Sequence, residues 1–247
     1  MIKNIILGKE SLLTKSLIKK NLFFSTFSVR NINAVNDILN EINKYKKVNI
    51  ILNNFYPSAK IKELKRQDYV KFYDQSLLFN ARLFSKIDPR KINRIIYSSS
   101  SSVYNSVGTD YKFTDRGNKL LYSSTKIAAE NLIYNFASIH KISFVILRIF
   151  NMYSDKDDNF SIISKIYNSI GKNKPIIIQN KGEGIRDFIN VKDVTKIITN
   201  IIKTKKLSSK TFDIGTGKGV KVKDLINYIG SDKIKINYKK KILYLPV

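Results

Sequence analysis

Four stretches of this chain, "NIILG" (Asn4–Gly8), "VNIILNN" (Val48–Asn54), "RIIYSSS" (Arg94–Ser100) and "FVILRIF" (Phe144–Phe150), are continuous apolar runs rather than alternating ones. An alternating strand buries one face; a continuous one needs cover on both, as inside a parallel sheet flanked by helices. Between the runs lie "SLLTKSLIKK", "AVNDILNEINKY", "YDQSLLFNARLFSKI" and "TKIAAENLIYNFASI", which read as helices. In the last, Ala129, Leu132, Ile133 and Phe136 recur at helical spacing and are expected to face the sheet. Strand and helix in alternation predict an α/β fold built on a doubly wound parallel sheet. After Asn151 the rhythm loosens into predicted helices in "NFSIISKIYNSI" and "VKDVTKIITNII" and strands in "KPIIIQN" and "KTFDIG".

A chain of 247 residues with 43% hydrophobic and 11% aromatic content can bury one large core, with or without a small appendage. No apolar run approaches the roughly 18 residues of a membrane span. "MIKNIILGKE" is broken by Lys9 and Glu10 too early for a secretory signal. Cysteine is absent, which excludes disulfides and thiolate metal sites and fits a cytoplasmic protein. The net charge of +26 would attract nucleic acid, anionic membrane or phosphorylated substrates. Lys, Ile and Asn are all over-used and the lysines are scattered, so most of the charge is assigned to compositional drift.

The carboxyl ends of strands are where open α/β sheets bind ligands. "SSSSSVYN" (Ser98–Asn105) follows one such strand, "YSSTK" (Tyr122–Lys126) opens the next helix, and "LRIFNMYS" (Leu147–Ser154) ends the strand after it. Farther on come "RDFINVKDV" (Arg186–Val194) and "FDIGTGKGVKVKDL" (Phe212–Leu225). In this order the five segments resemble the extended short-chain dehydrogenase/reductases, the nucleotide-sugar epimerase and dehydratase family. The likeness runs from the first strand to about Leu225.

The resemblance implies a Rossmann-like dinucleotide-binding domain over residues 1–150. A small C-terminal substrate-binding part would follow over 151–247, with about 186–215 packing back on the first domain. It further implies NAD or NADP as cofactor, a nucleoside-diphosphate sugar as substrate and a homodimer; the apolar runs predict no membrane span, and the scattered charge disfavours a nucleic-acid partner. The catalytic residues would be Ser100, Tyr122 and Lys126. Oxidising a sugar carbinol needs a base for the hydroxyl proton, and a free Tyr, with pKa about 10, is nearly all protonated at neutral pH. Lys126, one turn along on the same face, would favour the phenolate, as would an oxidised nicotinamide ring. Bringing that pKa near 7 requires about 4 kcal/mol. Ser100 would hydrogen-bond the reacting oxygen, and some of the other serines from Ser98 to Ser102 are expected to be a solvated loop.

Relatives that eliminate water carry acidic residues just after the hydroxyl residue, where this chain has Ser101 and Ser102. Dehydration is therefore disfavoured; C4 epimerisation or 4-keto reduction remains. On the substrate side the resemblance assigns Ser101, Asn151 and Arg186, whose fork suits diphosphate oxygens. A surface ion pair with Asp187 is the alternative for Arg186. "GTGKG" (Gly215–Gly219) has its third Gly misplaced for a dinucleotide loop and is read as a turn.

The cofactor set would be Gly8, Ser11, Thr14, Arg30, Asn53 and Lys126. Here the chain departs from the family, which expects G-x-x-G-x-x-G after the first strand. "GKESLLTK" keeps Gly8 but puts Ser11 and Thr14 at the other two positions and adds Glu10. Arg30, after a second strand expected over about Leu22–Val29, would favour a 2′-phosphate and hence NADP. The chain also ends soon after "KKKILYLPV", before the usual end of the family's substrate domain, as a short variant or a truncated chain would.

His140 is expected at a helix end on the surface. "DKDDN" (Asp155–Asn159) lacks a bidentate Glu at the twelfth position for calcium, and "KRQDYVKFY" and "NYKKKILY" read as solvated faces. The rival from another class is a redox-inactive relative that binds RNA or protein.

Overall fold

The computed structural model describes residues 2–20, 22–31, 33–56, 60–61, 64–106, 117–154, 161–172, 175–230 and 236–239. The acidic stretch Asp155–Asn159 and most of "NYKKKILY" lie outside them. The chain divides into two compact units, Met1–Ile149 with Val194–Asp213, and Phe150–Asp193 with Ile214–Val247.

The continuous apolar runs become the inner strands of the first unit. Its elements are β1 (Lys3–Leu7), α1 (Leu12–Leu17), β2 (Phe24–Phe27), α2 (Ala34–Asn43), β3 (Val48–Leu52), α3 (Tyr69–Tyr73), α4 (Phe79–Phe84), β4 (Ile92–Ser100), α5 (Gly117–Ile139) and β5 (Ser143–Ile149). A π-helical turn, Asp74–Leu78, joins α3 to α4. Next in the chain come β6 (Asn151–Tyr153), α6 (Ile162–Lys172), β7 (Ile176–Gln179), β8 (Ile185–Asn190), α7 (Val191–Lys203), β9 (Lys210–Ile214), β10 (Gly219–Lys221), α8 (Val222–Gly230) and β11 (Ile236–Lys239). The central sheet has the order β2-β1-β3-β4-β5-β9. This is the Rossmann-like doubly wound arrangement. The second strand is shorter than expected, Phe24–Phe27, and only half-buried throughout, as suits a sheet edge.

Register explains why the runs are continuous. Ile5, Ile50, Ile95 and Phe144 form one row across four parallel strands, and Ile6, Ile51, Ile96 and Val145 form the next. Adjacent rows point to opposite faces, and both are covered: Ile5, Ile6, Ile50, Ile51, Ile95 and Ile96 are fully buried. Each such side chain contributes about 1.5–3 kcal/mol. Ala129, Ile133 and Ala137 of α5 are buried in the core and Leu132 and Phe136 pack against it, as the helical spacing requires. At the start of the sheet the buried Asn49 donates to Asn4 at 2.9 Å and accepts from Asn93 at 2.7 Å, so polar groups there are paired. Buried Arg94 donates to the carbonyls of Ile201 (2.5 Å) and Thr204 (3.1 Å), closing the C-terminus of α7.

The second unit contains a three-stranded sheet β10-β8-β6 and a two-stranded pair β11-β7. Its core gathers Ile166 of α6, Ile176 and Ile178 of β7 and Ile226 of α8.

Candidate active site

Strand β4 and helix α5 build the centre of the site. β4 runs on through Ser98, Ser99 and Ser100 before a 3-10 turn over Ser101–Ser106. Ser98–Ser100 are therefore strand residues, and two of them are tied down, while Ser101 and Ser102 fall in the turn. Ser98 Oγ donates to Asn53 Oδ1 at 2.6 Å, and Ser99 Oγ donates to the Glu130 carboxylate. Ser100 Oγ accepts from the Ser102 amide at 3.2 Å, and the Ser100 side chain is near enough to the Tyr122 phenol to act on its pKa. The structure thus brings Ser100 and Tyr122 together, while Ser101 stays half-exposed.

Lys126 lies one helical turn beyond Tyr122 and is only 4% exposed. Its ammonium donates to the Ser98 carbonyl at 2.8 Å. Its Nζ stands 4.2 Å from the Phe55 ring centroid, 4.9 Å from that of Tyr97 and 6.0 Å from that of Tyr122. Phe55 also packs edge-on against Tyr122, with centroids 5.0 Å apart. Three aromatic rings therefore replace water around one ammonium.

That desolvation sets the protonation of the site. Burial pulls Lys126 from 10.5 down to about 7, opposed by the charge of Glu130. Burial pushes the Tyr122 phenol above its ordinary range, and the Ser100 side chain works the other way. Low dielectric disfavours both charged forms, and the Ser100 hydroxyl is the group that offsets the rise at Tyr122.

A stability prediction follows. Between about pH 7 and 10.5 an unfolded Lys126 holds a proton that the folded one has lost, so this group adds stability as pH rises through that window. A Lys126→Met variant lacks the dependence. It is expected to melt above the parent near pH 6, with the advantage shrinking toward pH 9, by scanning calorimetry. A variant less stable than the parent at both pH values would show that the contacts to Ser98 and the rings outweigh desolvation.

Sequence reasoning missed the partners behind Lys126. Glu130, 6% exposed, receives the Arg148 guanidinium in a fork, at 2.8 Å from Nη2 to Oε2 and 3.2 Å from Nε to Oε1. Arg148 donates onward to the Tyr104 hydroxyl at 3.0 Å, and Tyr104 donates to Asp213 of β9 at 2.7 Å. The available signal was spacing, since Tyr122, Lys126 and Glu130 repeat every four residues on one face of α5. The Tyr97 hydroxyl is fully buried with no hydrogen-bond partner among the described residues.

The glycine loop is more ordered than its composition suggests. Gly8 has φ +95°, and a Cβ there would meet the Asn53 and Asn54 backbone at 2.7–2.8 Å, so glycine is required. Ser11, at φ −69°, has no such need and caps α1, accepting from the Thr14 amide at 3.0 Å and donating to Thr14 Oγ1 at 2.9 Å. Buried Thr14 accepts from Asn53 Nδ2 at 3.1 Å. Both hydroxyls are engaged within the protein. A continuous chain, Ser11–Thr14–Asn53–Ser98, links the loop to the strand whose carbonyl holds Lys126. Arg30 is exposed, three residues past β2.

Asn151 and Arg186 belong to the second unit. Asn151 donates to the Asp187 carbonyl at 3.1 Å, and Arg186 is exposed with Nη1 on the Ile185 carbonyl at 2.7 Å. Asp187 does not pair with Arg186: its carboxylate accepts from the amides of Thr216 and Gly217 at 2.9 Å and from the Thr216 hydroxyl at 2.7 Å. These bonds hold the carboxyl below its usual range against the opposing effect of burial. "GTGKG" is thus the turn expected, wrapped around a buttressing aspartate. His140 follows the end of α5, exposed, with its ring 4.8 Å from Phe136.

Comparison with known proteins agrees with this architecture. Residues 19–215 match the model of the NAD dependent epimerase/dehydratase family. A CDP-abequose synthase of Salmonella typhimurium is 33% identical over 110 residues, 44% of this chain and 37% of the relative. A dTDP-D-glucose 4,6-dehydratase of Dictyostelium discoideum is 25% identical over 216 residues, 75% of this chain and 49% of the relative. The chain thus spans about half or less of the length of these curated relatives. Among solved structures, MoeE5 in complex with UDP-glucose and NAD superposes with a TM-score of 0.76 at 20% identity, covering 96% of this chain and 85% of that one, which establishes the shared fold.

Proposed function

Because this chain belongs to the NAD dependent epimerase/dehydratase family, we propose that it is a nucleoside-diphosphate-sugar C4 epimerase or 4-keto reductase. The observation that carries the reading is the meeting of Ser100 with Tyr122 at the carboxyl end of β4, one helical turn from the buried Lys126. In this mechanism Tyr122 takes the proton of the C4 hydroxyl when the sugar is oxidised and returns it on reduction. Ser100 hydrogen-bonds the same oxygen and orients it. Lys126, anchored on the Ser98 carbonyl, steadies the phenolate electrostatically. Phe55 and Tyr97 exclude water from the ammonium. Glu130, the carboxylate next along this helix face, is committed to Arg148 and Ser99, and so does not serve as the acid a dehydratase needs.

The residues present fit a dinucleotide. Gly8 permits close backbone approach, Lys126 suits a ribose hydroxyl, and exposed Arg30 suits the 2′-phosphate of NADP. When bound, NAD or NADP supplies the hydride acceptor and donor. Asn151 and Arg186 would contact the substrate diphosphate and Ser101 the sugar. A homodimer is part of the proposal, and the half-exposed Tyr69, Tyr73 and Leu78 with the exposed Val70 supply an apolar face for it.

The test is incubation with nucleotide sugars in deuterated water, followed by NMR. Inverted C4 with no deuterium at carbon supports epimerisation, and consumption of reduced cofactor with a keto-sugar selects reduction. Deuterium at C5 or a 6-deoxy-4-keto product overturns both, and no turnover of any sugar favours a redox-inactive relative. A second prediction concerns Ser11. Because its hydroxyl is committed to the helix cap, Ser11→Gly is expected to cost only a few tenths of a kcal/mol and to raise cofactor affinity in calorimetry. Weaker binding by the Gly variant would make that hydroxyl a phosphate ligand.

A further inference from the structure

Parallel topology brings every helix-to-strand turn of the first unit to one edge of the sheet, the end opposite Ser100. β1 to β5 are mutually parallel. β9 runs with them: Ser143 Oγ and the Phe144 amide, at the start of β5, bond to Leu207 and Ser209 just before β9. The turns so aligned read "IKK" (18–20), "KYKK" (44–47), "KIDPRK" (86–91), "HK" (140–141) and "TKK" (204–206). Asp88 is the only acid in them, and its carboxylate is bonded to Arg90. At the opposite edge, among the described residues, Lys9 is followed by Glu10, Arg30 is exposed, Ser101–Ser106 carries no charge, and Lys65 and Arg66 are followed by Asp68.

Part of the basic edge serves the fold. Lys44 is paired with Glu41, and Lys91 closes the end of α2 on the Asn43 and Tyr45 carbonyls. Lys19, Lys20, Lys46, Lys47, Lys205 and Lys206 are exposed, and among the described residues none of them lies in an ion pair. Six strands at about 4.8 Å spacing make this a strip roughly 24 Å long. A cleft of about 470 Å³ opens in it, lined by Lys47, Asp88, Arg90, His140 and Lys141 among others.

We propose that this edge is a docking face for an anionic lipid bilayer. Lysines near a membrane surface gain from its negative potential, and a row of turn tips meets a plane rather than a groove. Three exposed apolar side chains decide for lipid over nucleic acid. Ile18, Phe23 and Ile139 stand at this same edge with 50%, 45% and 66% of their surface exposed. The aliphatic pair, Ile18 and Ile139, gains by entering the headgroup–acyl boundary and gains nothing from a phosphodiester backbone. The cleft admits a phosphate headgroup between its cations. None of these residues takes part in the site around Tyr122, so this inference stands independently of the proposed reaction.

The experiment is co-sedimentation of the full chain with vesicles of phosphatidylcholine, alone or mixed with phosphatidylglycerol. Binding is expected only to the mixed vesicles and to fade at high salt. Reversing Lys46, Lys47, Lys205 and Lys206 to Glu together should weaken it at least about fiftyfold. Reversing four exposed lysines elsewhere (Lys60, Lys71, Lys165 and Lys196) should weaken it far less. Ile18→Ser with Ile139→Ser should also lower binding, by about tenfold, at unchanged charge. Melting curves establish that each variant is folded. Equal losses in the two lysine sets, no vesicle binding at low salt, or full binding by the serine variant would each overturn the proposal. So would edge-dependent binding to an RNA oligonucleotide in place of vesicles.

Discussion

Tyr122→Phe is expected to lower turnover at least about a hundredfold, as removal of a general base does, while leaving the fold and cofactor affinity nearly intact. The ring's packing is apolar, edge-on to Phe55 at 5.0 Å within a cluster that includes Tyr56 and Phe72, and Phe preserves it. What the substitution removes is one hydroxyl, the group on which Ser100 acts. The pH profile should show why that hydroxyl matters. Tyr122 starts above its ordinary range and Lys126 titrates near 7. Activity needing an ionised phenol should therefore rise with pH, whereas activity needing the Lys126 ammonium should fall above about 7. In the parent, kcat/KM is expected to rise with pH to about 7 and then level off, because above that point each gain in phenolate is offset by the loss of ammonium. A folded Phe variant with parental turnover would remove Tyr122 from the mechanism.

Arg148→Met is expected to cost about 3–5 kcal/mol of stability, because it leaves the Glu130 carboxylate buried without its cation. That is a large fraction of the 5–15 kcal/mol by which most domains are stable. With Arg148 absent, Ser99 is the remaining partner observed for the carboxylate, too little to replace two charge-assisted bonds. Adding Glu130→Gln should recover part of the loss, since the buried charge disappears with its partner's absence. The double variant should also lower the Lys126 pKa further, because Glu130 holds it up. Urea midpoints for the two single variants and the double variant measure this directly. Additive effects would mean the pair is not coupled.

The layout of the first unit was legible because its signals are local. An apolar run that does not alternate must be covered on both faces, and a helical repeat of Ala129, Leu132, Ile133 and Phe136 must face something apolar. Tyr122 and Lys126 share a helix face by spacing alone, whatever the rest of the chain does. Glycine at position 8 was likewise legible in the motif, and the structure adds a reason of its own, a positive φ packed against the Asn53 and Asn54 backbone.

Spacing cannot say what arrives from elsewhere. Ser99, Glu130 and Arg148 lie on three different elements, and only the register of β4 with β5, where Ser99 stands opposite Arg148, brings them to one carboxylate. The family's second and third glycines are replaced here, and sequence showed this only as a departure. In three dimensions Ser11 and Thr14 became a cap and a link to Asn53, since hydroxyls can take partners that glycines cannot. Protonation was equally out of reach: the same Lys is cationic in water and is drawn down to about 7 behind three rings, because depth of burial is a property of packing. The basic edge belongs to the same class. Lysines scattered along 247 residues are gathered at one end by the shared direction of the strands. Sequence fixes which groups face each other along one element, and tertiary structure fixes which elements meet and how much water is left between them.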